Sequence, residues 1–246
     1  MRGYRILTMF ALILCIEQLH AEVKEDQNSP ETVGEIDDPF EDFNRVVYQF
    51  NWALDTVLFH PASEIYGLVP SPVRTGVRNF IYNLNSPVIF INDLLQLEGT
   101  RAGQTLVRTL INTTLGIGGL FDVATDMGLE YHREDFGQTL AVGGVPSGPY
   151  LVLPIFGPSS PRDLVGLGVT VYINPVNWVF WNNDLDWAVY TRDGMYMLDT
   201  RTQARGFTDE LEKAIDPYVT VRSLYAQTRG DHVASDEDSP KPTDSE

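Results

Sequence analysis

The turn Gly116-Ile117-Gly118-Gly119, set between two apolar segments, is the first place in this 246-residue chain where backbone amides could cradle a phosphate. A Walker-type loop needs a Lys and a Ser or Thr directly after its last Gly, and here Leu120 and Phe121 follow. The dinucleotide fingerprint lacks its third Gly and its preceding strand. A helix C-cap leading through a tight turn into another helix is the simpler reading. Beyond the N-terminal region the histidines are His60, His132 and His232, with no pair at i, i+4. His132 with Asp135 is a pair from which a hydrolase could be assembled, but no Ser occupies a G-x-S-x-G elbow. Ser147 in VPSGP and Ser159-Ser160 in GPSSP lie in turn contexts where Ser and Pro are ordinary. Asp184 and Asp186 in NNDLDW lack the Gly and the distal Glu of a calcium loop. These residue types and spacings lead to no catalytic group, no cofactor and no metal.

The elements around these residues are mostly apolar helices, so the expected class is all-α with one domain. Residues 1–21 form a basic stretch, the apolar run ILTMFALILCI and a possible cleavage site after Ala21, too short to span a bilayer and typical of a signal peptide. Cys15 is the only cysteine, and the bulky Leu12, Ile13 and Leu14 before it make a poor lipidation site, although lipidation there is the alternative. The net charge of −17 lies mostly in the flanks. Residues 22–42 carry nine acids against Lys24 and residues 230–246 carry six against Lys241, whereas residues 43–229 are near balance at −5. The flanks 22–37 and 230–246 therefore read as an acidic disordered linker and tail around a folded unit at 38–229. Nucleic acid is excluded as a partner, because no basic face is available for its phosphates.

Within the folded unit, EDFNRVVYQFNWALDTVLF spaces Phe43, Val47, Phe50 and Leu54 as a protein-facing stripe. Tyr48, Trp52 and Phe59 form a second apolar face suited to lipid or a channel. HPASEIYGLVPSP reads as a loop, and Ser86-Pro87 as the start of a helix separate from the one ending near Leu84. Phe90 and Leu94 on that second helix join the lipid-facing candidates. In the helix from Thr100 to about Leu115, Leu106, Leu110, Ile111 and Leu115 are expected inward and Arg101 and Arg108 outward. Prolines in VGGVPSGPYLVLPIFGPSSP forbid a long helix there and predict an extended apolar hairpin. Its Gly143, Gly144 and Gly148, with Gly116, Gly118 and Gly119 at the earlier corner, are candidate hinge or gate positions. This much apolar helix surface suits either acyl chains or a large ordinary core, and the residues alone leave both open.

Several stretches taken together, in order, resemble the MlaA (VacJ) family of the Gram-negative outer membrane. They are DPFEDFNRVVYQFN (38–51), VPSPVRTGVRNFIYNL (69–84), SPVIFINDLLQ (86–96), RTLINTTLGIGGLFDVA (108–124), EDFGQTLAVGGVPSGPYLVLPIFGPSSPRD (134–163) and DPYVTVRSLY (216–225). The resemblance implies a ring of helices lying in the inner leaflet of the outer membrane, on the periplasmic side. It implies removal of misplaced phospholipids from the outer leaflet through an amphipathic channel to a periplasmic lipid-carrier protein, with trimeric porins as membrane partners and no enzymatic step. A membrane-associated lipid hydrolase and a purely structural scaffold are the alternatives.

The weak lipidation sequence carries a prediction of its own. The mature protein purified from membranes should begin near Glu22 and carry no lipid. Intact-mass spectrometry checks this, and an acylated Cys15 at the N-terminus is the opposite result.

Overall fold

The computed structural model describes residues 38–237, with side chains through Thr228. The signal segment, Cys15 and the acidic linker lie outside the described residues. Helix α1 (Glu41–Leu54) begins with Glu41 and Asp42, carboxylates that complement the positive helix N-terminus. A π-helical turn (Asp55–Phe59) carries it directly into α2 (His60–Gly67), where a loop was expected. Pro61 is tolerated because the first turn of a helix has no partner for the N–H that proline lacks.

Helix α3 (Ser71–Leu95) is also longer than expected, running unbroken through Pro87. The turn ahead of the proline is reinforced by Ser86, whose Oγ donates to the Tyr82 carbonyl at 3.1 Å. Helix α4 (Gly99–Thr114) packs back along α3, and the glycine corner leads to the single turn α5 (Val123–Asp126). Helix α6 (Phe136–Val142) starts where the Asp135 carboxylate accepts from the Gln138 amide at 3.0 Å. An antiparallel hairpin comes next, β1 (Leu151–Leu153) with β2 (Gly157–Ser159), pairing Val152 with Pro158. Ser160 caps α7 (Pro161–Ile173), Asn174 caps α8 (Pro175–Asn182), and the two helices meet at 52°. Helices α9 (Asp186–Gln203), α10 (Arg205–Leu211) and α11 (Pro217–Glu237) complete the chain. The all-α class holds, with strand confined to the hairpin among the described residues. Helix α11 runs past Gly230, where a tail was expected, because no proline interrupts it before Pro240.

No single helix among the described residues is long and apolar enough to cross a membrane, although the bent pair α7–α8 has the combined length and composition. What is unusual is the polarity of the packing. Among the described residues eighteen polar or charged residues are buried against twelve apolar ones, while large apolar side chains line the outside of every long helix through α9. The stripe on α4 is the reverse of the expectation: Leu106, Leu110 and Leu115 are exposed, and Ala102, Thr105, Arg108 and Asn112 are buried. On α1, Phe43 and Phe50 are 60% and 53% exposed, and Asn44 and Val47 are the buried positions. Helical spacing separates two faces correctly, but which face turns inward depends on the medium outside. Water would drive Leu inward; hydrocarbon does not.

Val47 sits with Tyr150, Val152 and Tyr218 in the small apolar core beneath the hairpin. Val47→Asp should therefore destabilise the fold by about 3 kcal/mol, the usual penalty for an unpaired charge in a core. Phe50→Asp should leave folding intact and weaken association with lipid vesicles. Denaturant unfolding in detergent and vesicle flotation of both variants measure the contrast.

Candidate functional site

The interior is organised by polar side chains projecting from α3 and α4. Arg108 (α4) donates to both oxygens of Asp122, at 2.9 and 3.0 Å, to Thr125 Oγ1 at 2.9 Å and to the Leu129 carbonyl. One turn later Asn112 donates to Asp122 at 2.9 Å and accepts from the Ala124 amide at 2.9 Å. Burial by itself raises the Asp122 pKa, but hydrogen bonds from Thr125, Asn112 and Arg108 outweigh it and hold the carboxyl below its ordinary value.

This clamp explains the glycine corner. The amides of Gly116, Gly118 and Gly119 all donate back to α4 carbonyls, those of Ile111, Thr113 and Asn112, so none is left to hold a phosphate. A Cβ at Gly116 would lie 2.2 Å from the Phe121 carbonyl oxygen, and one at Gly119 would lie 2.5 Å from Asn83 Cβ. Close approach of backbone to helix is what these positions require.

Beside the clamp are two small cavities, each with room for about one water, one walled by Tyr82, Asn83, Ser86, Arg108 and Tyr131 and the other by Ser86, Thr105, Arg108, Tyr131 and His132. Tyr82 and Tyr131 stack face to face at 4.3 Å, and burial pushes both phenols above their ordinary pKa, so they remain neutral. The Arg133 guanidinium stands 5.7 Å over the Tyr196 ring near this cluster. Further along the wall Arg78 pairs with Asp199 at 2.8 Å, and Arg201 pairs with Asp55 at 2.6 Å, tying α9 to α3 and to the π-helical turn.

The hairpin is fastened by two asparagines seven residues apart on one face of α1. Asn44 donates to the Tyr150 carbonyl at 3.0 Å and accepts from the Val152 amide at 2.8 Å. Asn51 donates to the Leu153 carbonyl at 2.9 Å and accepts from the Ile155 amide at 2.7 Å. Each side-chain amide imitates a neighbouring strand. Asp38, almost fully buried, accepts from Asn44, Arg222 and Tyr218, which joins the start of the folded unit to α11. Arg45 reaches Asp216 at 2.8 Å in the same junction.

Segments 38–51 and 216–225, two of the resembling stretches and among the most distant in sequence, thus meet in one junction. Residues 36–232 match the MlaA lipoprotein family. The chain belongs to that family. Relatives include the intermembrane phospholipid transport system lipoprotein MlaA of Haemophilus influenzae, 35% identical over 82% of this chain and 81% of its own length. The Escherichia coli K12 protein of the same name is 34% identical over 80% of this chain and 78% of its own length. A Rickettsia prowazekii protein is 37% identical over 92% and 93% of the two chains. A solved structure from work on the structural basis for maintenance of bacterial outer membrane lipid asymmetry superposes with a TM-score of 0.67 at 33% identity, over 80% of this chain and 98% of the other.

Placed on this member of the MlaA family, the residues singled out by sequence separate into groups. Tyr48 lies against the Val47–Tyr218 core, its ring 5.7 Å from that of Tyr218, and burial pushes its pKa up to about 12. Trp52 is half-buried beside it, and Phe59 and Phe90 are half-buried, while Leu94 is exposed. The outward apolar face of α1 is instead Phe43, Val46 and Phe50. Gly143 and Gly144 end α6, and Gly148 opens the approach to β1, in an exposed stretch from 142 to 148. His132 does not face Asp135, which serves as the α6 cap; its Nε2 lies 2.9 Å from Asp93. Ser147 Oγ donates to the Gly148 carbonyl, Ser159 Oγ to that of Ser160, and Ser160 Oγ caps α7, so each candidate serine has a local turn role. Asn44, Asn51 and Asp93 were missed because their partners lie on other elements. Their one signal in the sequence is a polar residue recurring on an otherwise apolar helix.

Removing the cation from the corner tests the clamp. Arg108→Met should cost about 2 kcal/mol at neutral pH, since it strands a partly buried carboxylate. Because the Asp122 pKa is lowered in the folded state, its contribution is complete above the unfolded carboxylate pKa of about 4 and is lost as pH falls through the lower folded value. Unfolding of wild type and variant followed from neutral to acid pH should show the gap close at the acid end.

Proposed function

We propose that this protein moves phospholipids between membranes and thereby maintains outer-membrane lipid asymmetry, as the names of its relatives describe for them. The observation that carries this reading is the inversion of polarity: apolar side chains outside, for acyl chains and bilayer, and hydrogen-bonding side chains inside. Neither surface calls for a reacting group, and the interior offers neutral phenols, amides and paired charges. Lipids leave the outer leaflet through this polar interior and pass to a periplasmic lipid-carrier protein, while the apolar belt lies in the inner leaflet of the outer membrane beside a trimeric porin.

The hairpin serves as a movable wall of the passage. Four hydrogen bonds from Asn44 and Asn51 connect it to α1, and the glycines at 143, 144 and 148 flank it as hinges. Loss of two such bonds costs about 2 kcal/mol, enough to raise the released population roughly thirtyfold while leaving the helices folded. Asn51→Ala, expressed at normal level in cells lacking the native protein, should raise outer-leaflet phospholipid whether the passage leaks or jams. Accessibility of phospholipid to phospholipase added to intact cells measures it. Wild-type asymmetry in a folded, membrane-bound Asn51→Ala protein would make the hairpin a structural element only. Wild-type asymmetry in cells lacking the protein altogether would remove the transport reading.

A further inference from the structure

Beside the small cavity at His132, α3 and the segment before α6 bring together three groups that the lipid pathway does not use. Asp93 and Glu134 have side chains 0% and 3% exposed, and His132 stands between them at 20%. One carboxylate oxygen from each acid and an imidazole nitrogen all lie within 4.8 Å of one another. Glu134 is paired with Arg101 at 3.0 Å. Asp93 has no such guanidinium: its ionic contact is the His132 ring at 2.9 Å, and Thr105 donates to its other oxygen at 2.7 Å. A carboxylate shut away from water needs a positive charge close beside it.

A second observation points to the same place. Gln96 is 9% exposed and donates its Nε2 to Glu134 and to Thr139, both at 3.0 Å. That leaves its carbonyl oxygen, Oε1, buried beside Glu134 without a hydrogen-bond partner. An amide carbonyl is a common cation ligand, and this one is next to the Glu134 carboxylate that Nε2 of the same side chain reaches.

We propose that Asp93, His132 and Glu134 form a divalent transition-metal site, with the Gln96 carbonyl as an additional oxygen donor. One imidazole with two carboxylates suits Zn²⁺ or Mn²⁺ better than Ca²⁺, which takes oxygen ligands alone. The adjoining small cavity, bounded by Ser86, Thr105 and His132, has room for a coordinated water. Thr105 acts from behind, orienting the Asp93 carboxylate. Arg101 is the competitor, since its guanidinium already occupies one face of Glu134. The bound ion fastens the segment before α6 to α3. Spacing in the sequence conceals such a site, because Asp93 and His132 are 39 residues apart and share no helix.

The test uses the full-length, tag-free protein in detergent, stripped with a chelator and titrated separately with ZnCl₂, MnCl₂ and CaCl₂. Metal content after desalting should reach about one Zn²⁺ or Mn²⁺ per chain, and saturation should raise Tm by several degrees. His132→Ala and Glu134→Gln should lose the metal-dependent Tm rise, and Thr105→Val should weaken affinity about tenfold. Arg101→Met should keep or tighten binding by removing the competing cation, an effect that general damage to the fold does not produce. Substoichiometric metal in the wild type overturns the proposal, as does a Tm response to zinc that is equal in His132→Ala. A response to CaCl₂ alone also overturns it. None of these readings depends on lipid transport, so failure here is separable from failure of the functional proposal.

Discussion

A helix whose outward face meets hydrocarbon gains nothing by turning its leucines inward, and this constraint shapes the rest of the structure. The association of α3 with α4 cannot draw on apolar collapse alone when Leu106, Leu110 and Leu115 lie on the outside. It rests on close backbone approach and on side-chain hydrogen bonds: Thr105 to Asp93, Asn83 to Thr113, and the shared attachment of both helices to the segment from 118 to 134. In an interior of this kind partners for polar groups weigh heavily, since an unpaired one costs more than a paired one contributes. The number of asparagine, arginine and aspartate side chains with two or more partners reflects that asymmetry.

The same constraint governs how the chain closes. The buried carboxylate of Asp38 accepts from Asn44, Tyr218 and Arg222, so the start of α1 and the start of α11 are joined through one charge. Asn44 belongs to this junction and to the hairpin, because its amide nitrogen reaches both Asp38 and the Tyr150 carbonyl. Tyr218 lies beneath the hairpin in the small apolar core and donates to Asp38 from there. Closure of the fold and attachment of the hairpin therefore share residues, and a change in one is transmitted to the other over a few ångströms.

Corners are handled differently from walls. At the glycine turn the backbone satisfies its own amides on α4 and leaves the side chains of Arg108 and Asn112 to hold residues 122–129. At the α7–α8 elbow Asn174 is buried and caps α8, so a break between two apolar helices is completed by hydrogen bonds rather than by packing. Both corners are held by hydrogen bonds made close by. The exposed stretch from 142 to 148 is held mainly by Arg162, whose guanidinium donates to the Val145 carbonyl and whose backbone amide donates to that of Ser147, both at 3.3 Å.

Much of the local structure was legible in the residues. The stop at Gly116 and the proline-broken hairpin arise from chemistry within a few positions of the chain, which is why they are found where expected, and the caps at Asp135 and Ser160 are equally local. The family, too, could be read from the order of its motifs. Local signals failed where a proline was taken as a break, at Pro87 inside α3 and at Pro61 in the first turn of α2. Tertiary structure alone decided two things. Periodicity marks two faces of a helix but carries no record of what lies beyond them, so the inward turn of Arg108 and the outward turn of Phe50 depended on the packed molecule and its apolar surroundings. The partners of Asn44, Asn51, Asp93 and His132 depended on closure, because a hydrogen bond has a length of about 3 Å whatever the number of residues between its two ends.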